Sequence, residues 1–249
     1  MEQSVKRWMY RHKADSNMIK AFIFDLDGVL VHTDNFHYQA WKRIADQLGV
    51  YFDEDINNKL RGVSRMDSLN IILENYQGAP LSDLQKTELT EEKNKVYRAM
   101  LCTMGPNDVS EEVKETLKQL RKKGFLLSVG SSSKNARYIL EKTGIESYFD
   151  AVSDGNNISK SKPHPEVFLT AAAYLGIPAI SCAVVEDSRA GIDAAKSAGA
   201  IAIGMGDACG YDTTDIELGR FSDLIPIADG FMNERMKALH RNQEIKGDF

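Results

Sequence analysis

Asp25 and Asp27 stand one residue apart at the end of the apolar run Ala21-Phe22-Ile23-Phe24. In extended backbone, residues i and i+2 share a side, so both carboxylates face one space while Leu26 packs the other way. A carboxylate near its reference pKa of about 3.9 is ionised at pH 7 and needs no base to act as a nucleophile. Its natural electrophile is phosphorus. A phosphate dianion approaching the pair meets repulsion of about 4 kcal/mol per pair of unit charges at about 4 Å in a surface-like dielectric. A cation has to offset that, and Mg²⁺ suits the task because it takes hard oxygen ligands and keeps room for water and phosphate. The candidate side-chain ligands are Asp25 and Asp187, with Glu186 close by and the Asp27 carbonyl as a further donor.

Other polar groups follow other apolar runs. Ser131, Ser132, Ser133, Lys134 and Asn135 come after Phe125-Leu-Leu-Ser-Val129, and Glu186-Asp187 after Cys182-Ala-Val-Val185, with Lys162 between them. The hydroxyl and amide of Ser131 can hold non-bridging phosphate oxygens, and Lys162 can neutralise further charge. Each piece alone has an ordinary explanation: a turn after a strand, a polar loop, a solvated lysine. Four polar junctions in order, each behind a strand-like lead, point instead to one shared edge.

The elements that would position them alternate. Short continuous apolar runs at Ala21 to Phe24, Phe125 to Val129, Ala151-Val152, Cys182 to Val185 and Ala200 to Ile203 predict strands buried on both faces. Between them, helices are predicted over Glu111 to Lys123, Asn135 to Thr143, Pro165 to Leu175 and Arg189 to Ser197, several stopped by glycine. Such alternation gives an α/β fold with a parallel sheet covered on both faces, whose ligands sit beyond the carboxyl ends of the strands. Residues 33–104 break the rhythm. They hold no buried-strand run and predict amphipathic helices over Phe36 to Leu48, Asp67 to Asn75 and Ser82 to Met100, a small helical cap domain inserted after the first strand.

With 249 residues, 43% of them hydrophobic and 27% charged, the chain has the composition of a globular protein with one large core and a smaller attached unit. A formal charge of -5 argues against nucleic acid or an anionic membrane held by bulk electrostatics. No run approaches the roughly 20 apolar residues of a membrane span. Residues 1–17 are basic, lack the apolar stretch of a secretory signal and are expected to be a flexible extension. Cys102, Cys182 and Cys209, odd in number and far apart, fit neither a disulfide framework nor a zinc site and suggest a reducing cytoplasm. The absence of a leftover apolar segment points to a monomer.

These motifs resemble those of the haloacid dehalogenase superfamily: FDLDGVL its first, VGSSSKN its second, Lys162 in KSKPHP its third and VVEDSRAGIDAAKSAG its fourth. The resemblance implies a Rossmann-like core over 18–32 and 105–249 and a cap over 33–104. It further implies that Asp25 attacks phosphorus to form an aspartyl-phosphate and that Asp27 serves as general acid and base. Members that dehalogenate typically lack the second aspartate. Within residues 33–104, TDNFHYQAW, LRGVSRMDSL and EKNKVY resemble the cap of the β-phosphoglucomutase family. That likeness implies a second phosphate held remotely from Asp25 by Arg65 with Ser133, Lys134 and Asn135. It also implies a substrate loop at Gly62, Val63 and Ser64, a pocket wall at Trp41, and His37 and Lys93 coupling cap closure to the protonation of Asp27. The implied activity interconverts β-glucose 1-phosphate and glucose 6-phosphate through the 1,6-bisphosphate, the alternative being a sugar-phosphate phosphatase. His32 and His164 depart from the family pattern and carry no motif role.

Overall fold

The computed structural model describes residues 19–247, with side chains through Met236. The expected extension over residues 1–17 lies outside the described residues. Six strands form one parallel sheet: β1 Ala21–Phe24, β2 Leu126–Gly130, β3 Ala151–Ser153, β4 Cys182–Glu186, β5 Ile201–Gly204 and β6 Ile216–Glu217. Their spatial order is β3-β2-β1-β4-β5-β6. Successive strands thus run one way from β1 and the other way from β4, which leaves a crevice at the carboxyl ends of β1 and β4 where the order reverses. The register is flush there, with Phe24 opposite Val129 on one side and Val185 on the other.

Strand alternation sorts the sheet's side chains into two layers. Phe22, Phe24, Leu127, Val129, Val185 and Ile203 enter one apolar cluster, and Ala21, Ile23, Val184 and Ala202 the other. Buried on both faces, these strands have no polar side to show, which is why they read as unbroken apolar runs. Helices α5 Glu111–Lys122, α6 Ala136–Thr143, α7 Glu166–Tyr174, α8 Arg189–Ser197 and α9 Leu224–Gly247 accompany them. Fully burying a large aliphatic or aromatic side chain contributes about 1.5–3 kcal/mol, so positions such as Phe22, Leu127 and Phe168 carry much of the core.

Residues 33–104 contain α1 Asp34–Leu48, α2 Glu54–Asn58, α3 Arg65–Leu73 and α4 Asp83–Leu101. They hold an apolar cluster of their own, in which Trp41, Ile44, Leu69, Ile72 and Leu89 meet. Ser82 opens α4 with a reciprocal cap, its hydroxyl accepting from the Gln85 amide while the Gln85 side chain accepts from the Ser82 amide.

Three features were not anticipated. Helix α2 is too short for a periodic signal and rests on the Asp53 cap, whose Oδ1 accepts from the Ile56 amide at 2.9 Å. Strand β6 is two residues long, and α9 carries no clear amphipathic stripe. Strand β1 also ends at Phe24, so strand alternation does not place Asp25 and Asp27. A tight turn does: Leu26 accepts from the Leu30 amide at 2.9 Å and the Gly28 amide donates to the Val31 carbonyl at 2.7 Å. Gly28 takes φ +86°, and a Cβ there would overlap the Asp187 carboxylate.

Candidate active site

The Asp25 amide donates to the Val185 carbonyl at 2.9 Å, one step beyond the paired strands. That continuation carries its carboxylate over the crevice, next to Glu186 and Asp187 at the end of β4. Lys162 arrives from the loop before α7 and is fully buried beneath them. Its Nζ lies 2.5 Å from Asp25 Oδ1 and 2.5 Å from Glu186 Oε1. The other Glu186 oxygen accepts from the Ser188 amide at 2.8 Å and its hydroxyl at 2.9 Å. A Cβ at Gly191 would overlap the Glu186 carboxylate, so the first turn of α8 can pass it only as glycine.

One oxygen from each of Asp25, Glu186 and Asp187 falls within 4.8 Å of the others. Three buried carboxylates around one ammonium leave excess negative charge, and the pKa values register it. Burial, then the charges of Glu186 and Asp25, push the Asp187 carboxyl up to about 9. Burial also raises Asp25 to about 7, with Lys162 pulling down and Glu186 and Asp27 pushing up. This corrects the expectation that Asp25 keeps an ordinary carboxylate pKa: the sequence does not show the desolvation that opposes its charge. For Lys162, burial alone would lower the pKa, but Asp25 and Glu186 outweigh it and hold the ammonium above its usual value. Hard oxygen donors crowded at one point with unbalanced charge fit a divalent cation.

Asp27 is not part of that triad. Its Oδ1 accepts from the Thr33 hydroxyl and faces the Tyr97 hydroxyl at 3.5 Å. Burial raises its pKa, with the Thr33 hydrogen bond opposing the shift. A carboxyl so placed, whose burial favours the protonated form, can hold and pass on a proton.

Lys93 reaches the same region from α4. Its Nζ lies 2.9 Å from His37 Nδ1, 4.4 Å from the Tyr97 ring centre and 5.0 Å from that of Trp41. Burial, then the neighbouring Arg65, pull the Lys93 pKa down to about 7 despite Asp27. Burial, then Lys93 and Arg65, push His37 well below its ordinary value. The folded chain therefore binds this lysine's proton less tightly than the unfolded chain. The stability deficit is full below about pH 7 and fades as pH rises toward the unfolded value of about 10.4. Lys93→Met is accordingly expected to raise stability by about 1–4 kcal/mol at pH 6 and by little at pH 10, while turnover falls. Urea unfolding at the two pH values checks it.

A cavity of about 480 Å³ lies between the sheet edge and helices α1 to α4. Asp25, Asp27, His37, Trp41, Lys93 and Asp187 line it, as do Gly62, Val63, Ser64 and Arg65 of the loop into α3 and Ser131 to Asn135 after β2. Lys162 and Glu186 are not in its wall; they support Asp25 from below. Trp41, only 2% exposed, serves the helical apolar cluster and the wall at once. Direct bonds close the two sides together: the Ser132 hydroxyl donates to the Gly62 carbonyl at 2.9 Å, Asn135 Nδ2 to Asn94 Oδ1 at 2.9 Å, and the Ser161 hydroxyl to Asp67 Oδ2 at 2.8 Å.

Thr33, Tyr97, Asn94 and Arg61 were not singled out in the sequence. Thr33 and Tyr97 lie within the quoted cap segments but carry no charge to betray their link to Asp27. Arg61 sits beside the glycine of the substrate loop and reads as one more solvated cation.

Four matches to known proteins bear on this site. A family model described as haloacid dehalogenase-like hydrolase matches residues 19–199. A β-phosphoglucomutase of Bacillus subtilis (strain 168) is 40% identical over 208 residues, covering 83% of this chain and 92% of that protein. A fructose-1-phosphate phosphatase of Escherichia coli (strain K12) is 31% identical over 182 residues, covering 73% and 93%. The crystal structure of a β-phosphoglucomutase from Clostridium difficile superposes with a TM-score of 0.81 at 34% identity, covering 88% of this chain and 99% of that one. Sheet order, strand-end carboxylates and family match agree, and the chain belongs to the haloacid dehalogenase-like hydrolase family.

Proposed function

We propose that the chain is a Mg²⁺-dependent β-phosphoglucomutase, interconverting β-glucose 1-phosphate and glucose 6-phosphate through β-glucose 1,6-bisphosphate. The observation that carries this reading is the composition of one cavity wall. It combines the Asp25–Asp27 pair with a separate set of anion-holding groups, Arg65 from the helices and Ser133 to Asn135 from the sheet edge. The relatives named β-phosphoglucomutase support the choice of sugar.

In this reading residues 33–104 form a cap over a core of 18–32 and 105–249. Asp25 attacks phosphorus, forming an aspartyl-phosphate as the sugar oxygen leaves, and Asp27 donates a proton to that oxygen and recovers it in the second half-reaction. Ser131 and Ser132 hold the non-bridging oxygens, and Lys162 keeps Asp25 aligned and partly neutralised. Arg65 binds the distal phosphate through its fork of donors, helped by Ser133, Lys134 and Asn135. Gly62, Val63, Ser64 and Trp41 shape the sugar pocket. His37 and Lys93 tie α1 and α4 to the state of Asp27. Closure of the cap excludes water from the aspartyl-phosphate. Asp25, Asp187, Glu186 and the Asp27 carbonyl would hold Mg²⁺, which when bound offsets the charge between carboxylate and phosphate. Released bisphosphate turns and rebinds with its other end at Asp25, which makes the enzyme a mutase acting on small sugar phosphates. Among the described residues no helix is long and apolar enough to cross a membrane.

The test is one assay with β-glucose 1-phosphate, a trace of the bisphosphate and Mg²⁺, read for both glucose 6-phosphate and free phosphate. Glucose 6-phosphate should account for the substrate consumed. Free phosphate in its place would make the chain a sugar-phosphate phosphatase, the activity class of its Escherichia coli relative. Asp27→Asn is expected to lower turnover by about 10²–10⁴-fold with Mg²⁺ binding retained, since only the proton donor is lost. Turnover at the wild-type rate would remove Asp27 from the acid–base role.

A further inference from the structure

Arg61 lies in the connection between α2 and α3, and its side chain lines the cavity and reaches the sheet edge. Nη1 is 3.3 Å from Asp187 Oδ2 and 3.2 Å from Asp207 Oδ2, while Nη2 is 3.3 Å from Asp34 Oδ1. Asp187 ends β4, Asp207 follows β5, and Asp34 opens α1. A single guanidinium thus joins the helical layer to two places on the sheet edge. Its Nε is buried and has no hydrogen-bond partner. A fork donor with one arm unsatisfied and a second shared between two carboxylates is not seated as a purely structural ion pair would be. It is held by charge over the acidic triad.

We propose that Arg61 is a latch whose hold on Asp187 competes with the divalent cation. The proposal rests on the metal site of the preceding section and adds a residue that site does not include. Asp187 is the one member of the triad that faces Arg61. A cation drawing on Asp187 weakens the attraction that holds Arg61 there and adds a like charge beside the guanidinium. By reciprocity, whatever Arg61 costs the cation in affinity, the cation costs Arg61 in grip on the sheet edge. Cap closure and cation occupancy are therefore coupled with opposite sign through this side chain. A mutase needs such slack, because the bisphosphate has to leave and turn between half-reactions while the cation stays. Asp207, which is largely exposed, anchors the latch without belonging to the triad.

The experiment uses the full chain, stripped of divalent ions by chelation and dialysis, in wild-type form and as Arg61→Gln, Asp207→Asn and Asp187→Asn. Mg²⁺ affinity is measured by calorimetry and compactness of the stripped chain by small-angle X-ray scattering. Arg61→Gln is expected to bind Mg²⁺ roughly tenfold more tightly than wild type and to show a larger radius of gyration when stripped. Asp207→Asn is expected to expand the stripped chain less than Arg61→Gln does, because the guanidinium loses its anchor but keeps Asp187. Asp187→Asn is expected to bind Mg²⁺ much more weakly than wild type, with Asp25 and Glu186 remaining as ligands. Wild-type uptake of Mg²⁺ that Arg61→Gln leaves unchanged, or stripped Arg61→Gln and Asp207→Asn chains as compact as wild type, would overturn the latch and leave the metal site standing. No uptake by wild type would overturn the metal site and the competition together.

Discussion

Asp25→Asn is expected to reduce turnover by at least about 10⁴-fold while leaving the chain folded. The amide keeps the size and shape of the carboxylate but lacks the ionised oxygen that attacks phosphorus in the proposed reaction, so neither of its half-reactions can start. The fold has little reason to object. Lys162 keeps its second partner, Glu186 Oε1 at 2.5 Å, and one of three mutually repelling buried carboxylates is gone. A thermal melt separates loss of chemistry from loss of structure. Intact-mass measurement after exposure to the bisphosphate gives the positive signature: a phosphoryl adduct on the wild-type chain and none on the variant. If Asp25→Asn still produced glucose 6-phosphate at the wild-type rate, an acceptor other than Asp25 would have to be found, and the whole assignment of the strand-end cluster would fall. Asp187→Asn offers a contrast, since its loss of rate is expected to be partly recovered by raising Mg²⁺, whereas no cation concentration rescues a missing nucleophile.

Much of this site was legible because a parallel sheet writes itself plainly. Strands buried on both faces must be apolar throughout, so each ends visibly where polar residues begin, and Asp25, Ser131 and Glu186-Asp187 sit at such ends. The helical nature of residues 33–104 was legible for the opposite reason, the absence of any such run. What stayed hidden depends on depth and on long-range contact. Nothing local shows that Glu186 is fully buried or that Asp25 is 5% exposed, and the burial of Asp25 is what pushes its pKa up. The Thr33 hydroxyl finds Asp27 six residues back only because of the turn at Gly28. The Arg61 side chain meets Asp187 across 126 positions of sequence, a distance over which periodicity carries no information. Strand β6, with two residues, is defined by its neighbour β5 rather than by its own composition.

The largest effect on stability is expected at Lys162, where Lys162→Met should cost about 3–5 kcal/mol at pH 7 in chelator. The side chain is 1% exposed, and its ammonium is the group that balances Asp25 and Glu186, 2.5 Å from each. Methionine fills much of the same volume beside Phe168, so the loss is one of charge rather than of packing. The sign with pH follows from the groups involved. The Lys162 pKa is raised on folding, so its contribution is fully present below the unfolded value of about 10.4 and is lost only above it. Removing it releases Asp25 from the charge that lowers its pKa, so the carboxyl moves further above its unfolded value. The folded variant then holds a proton that the unfolded chain gives up above about pH 4, and its stability falls as pH rises from there toward neutrality. Wild-type Asp25, at about 7, holds the same proton up to neutrality, so the deficit against wild type is expected to be smaller at pH 7, larger at pH 9, where only the variant's carboxyl stays protonated, and reduced by added Mg²⁺, which meets the same carboxylates with positive charge. Denaturant unfolding of both chains at the two pH values, with and without Mg²⁺, reads all three. A deficit independent of pH would mean that methionine fails for reasons of shape, and that the ammonium is not what permits these carboxylates to lie buried together.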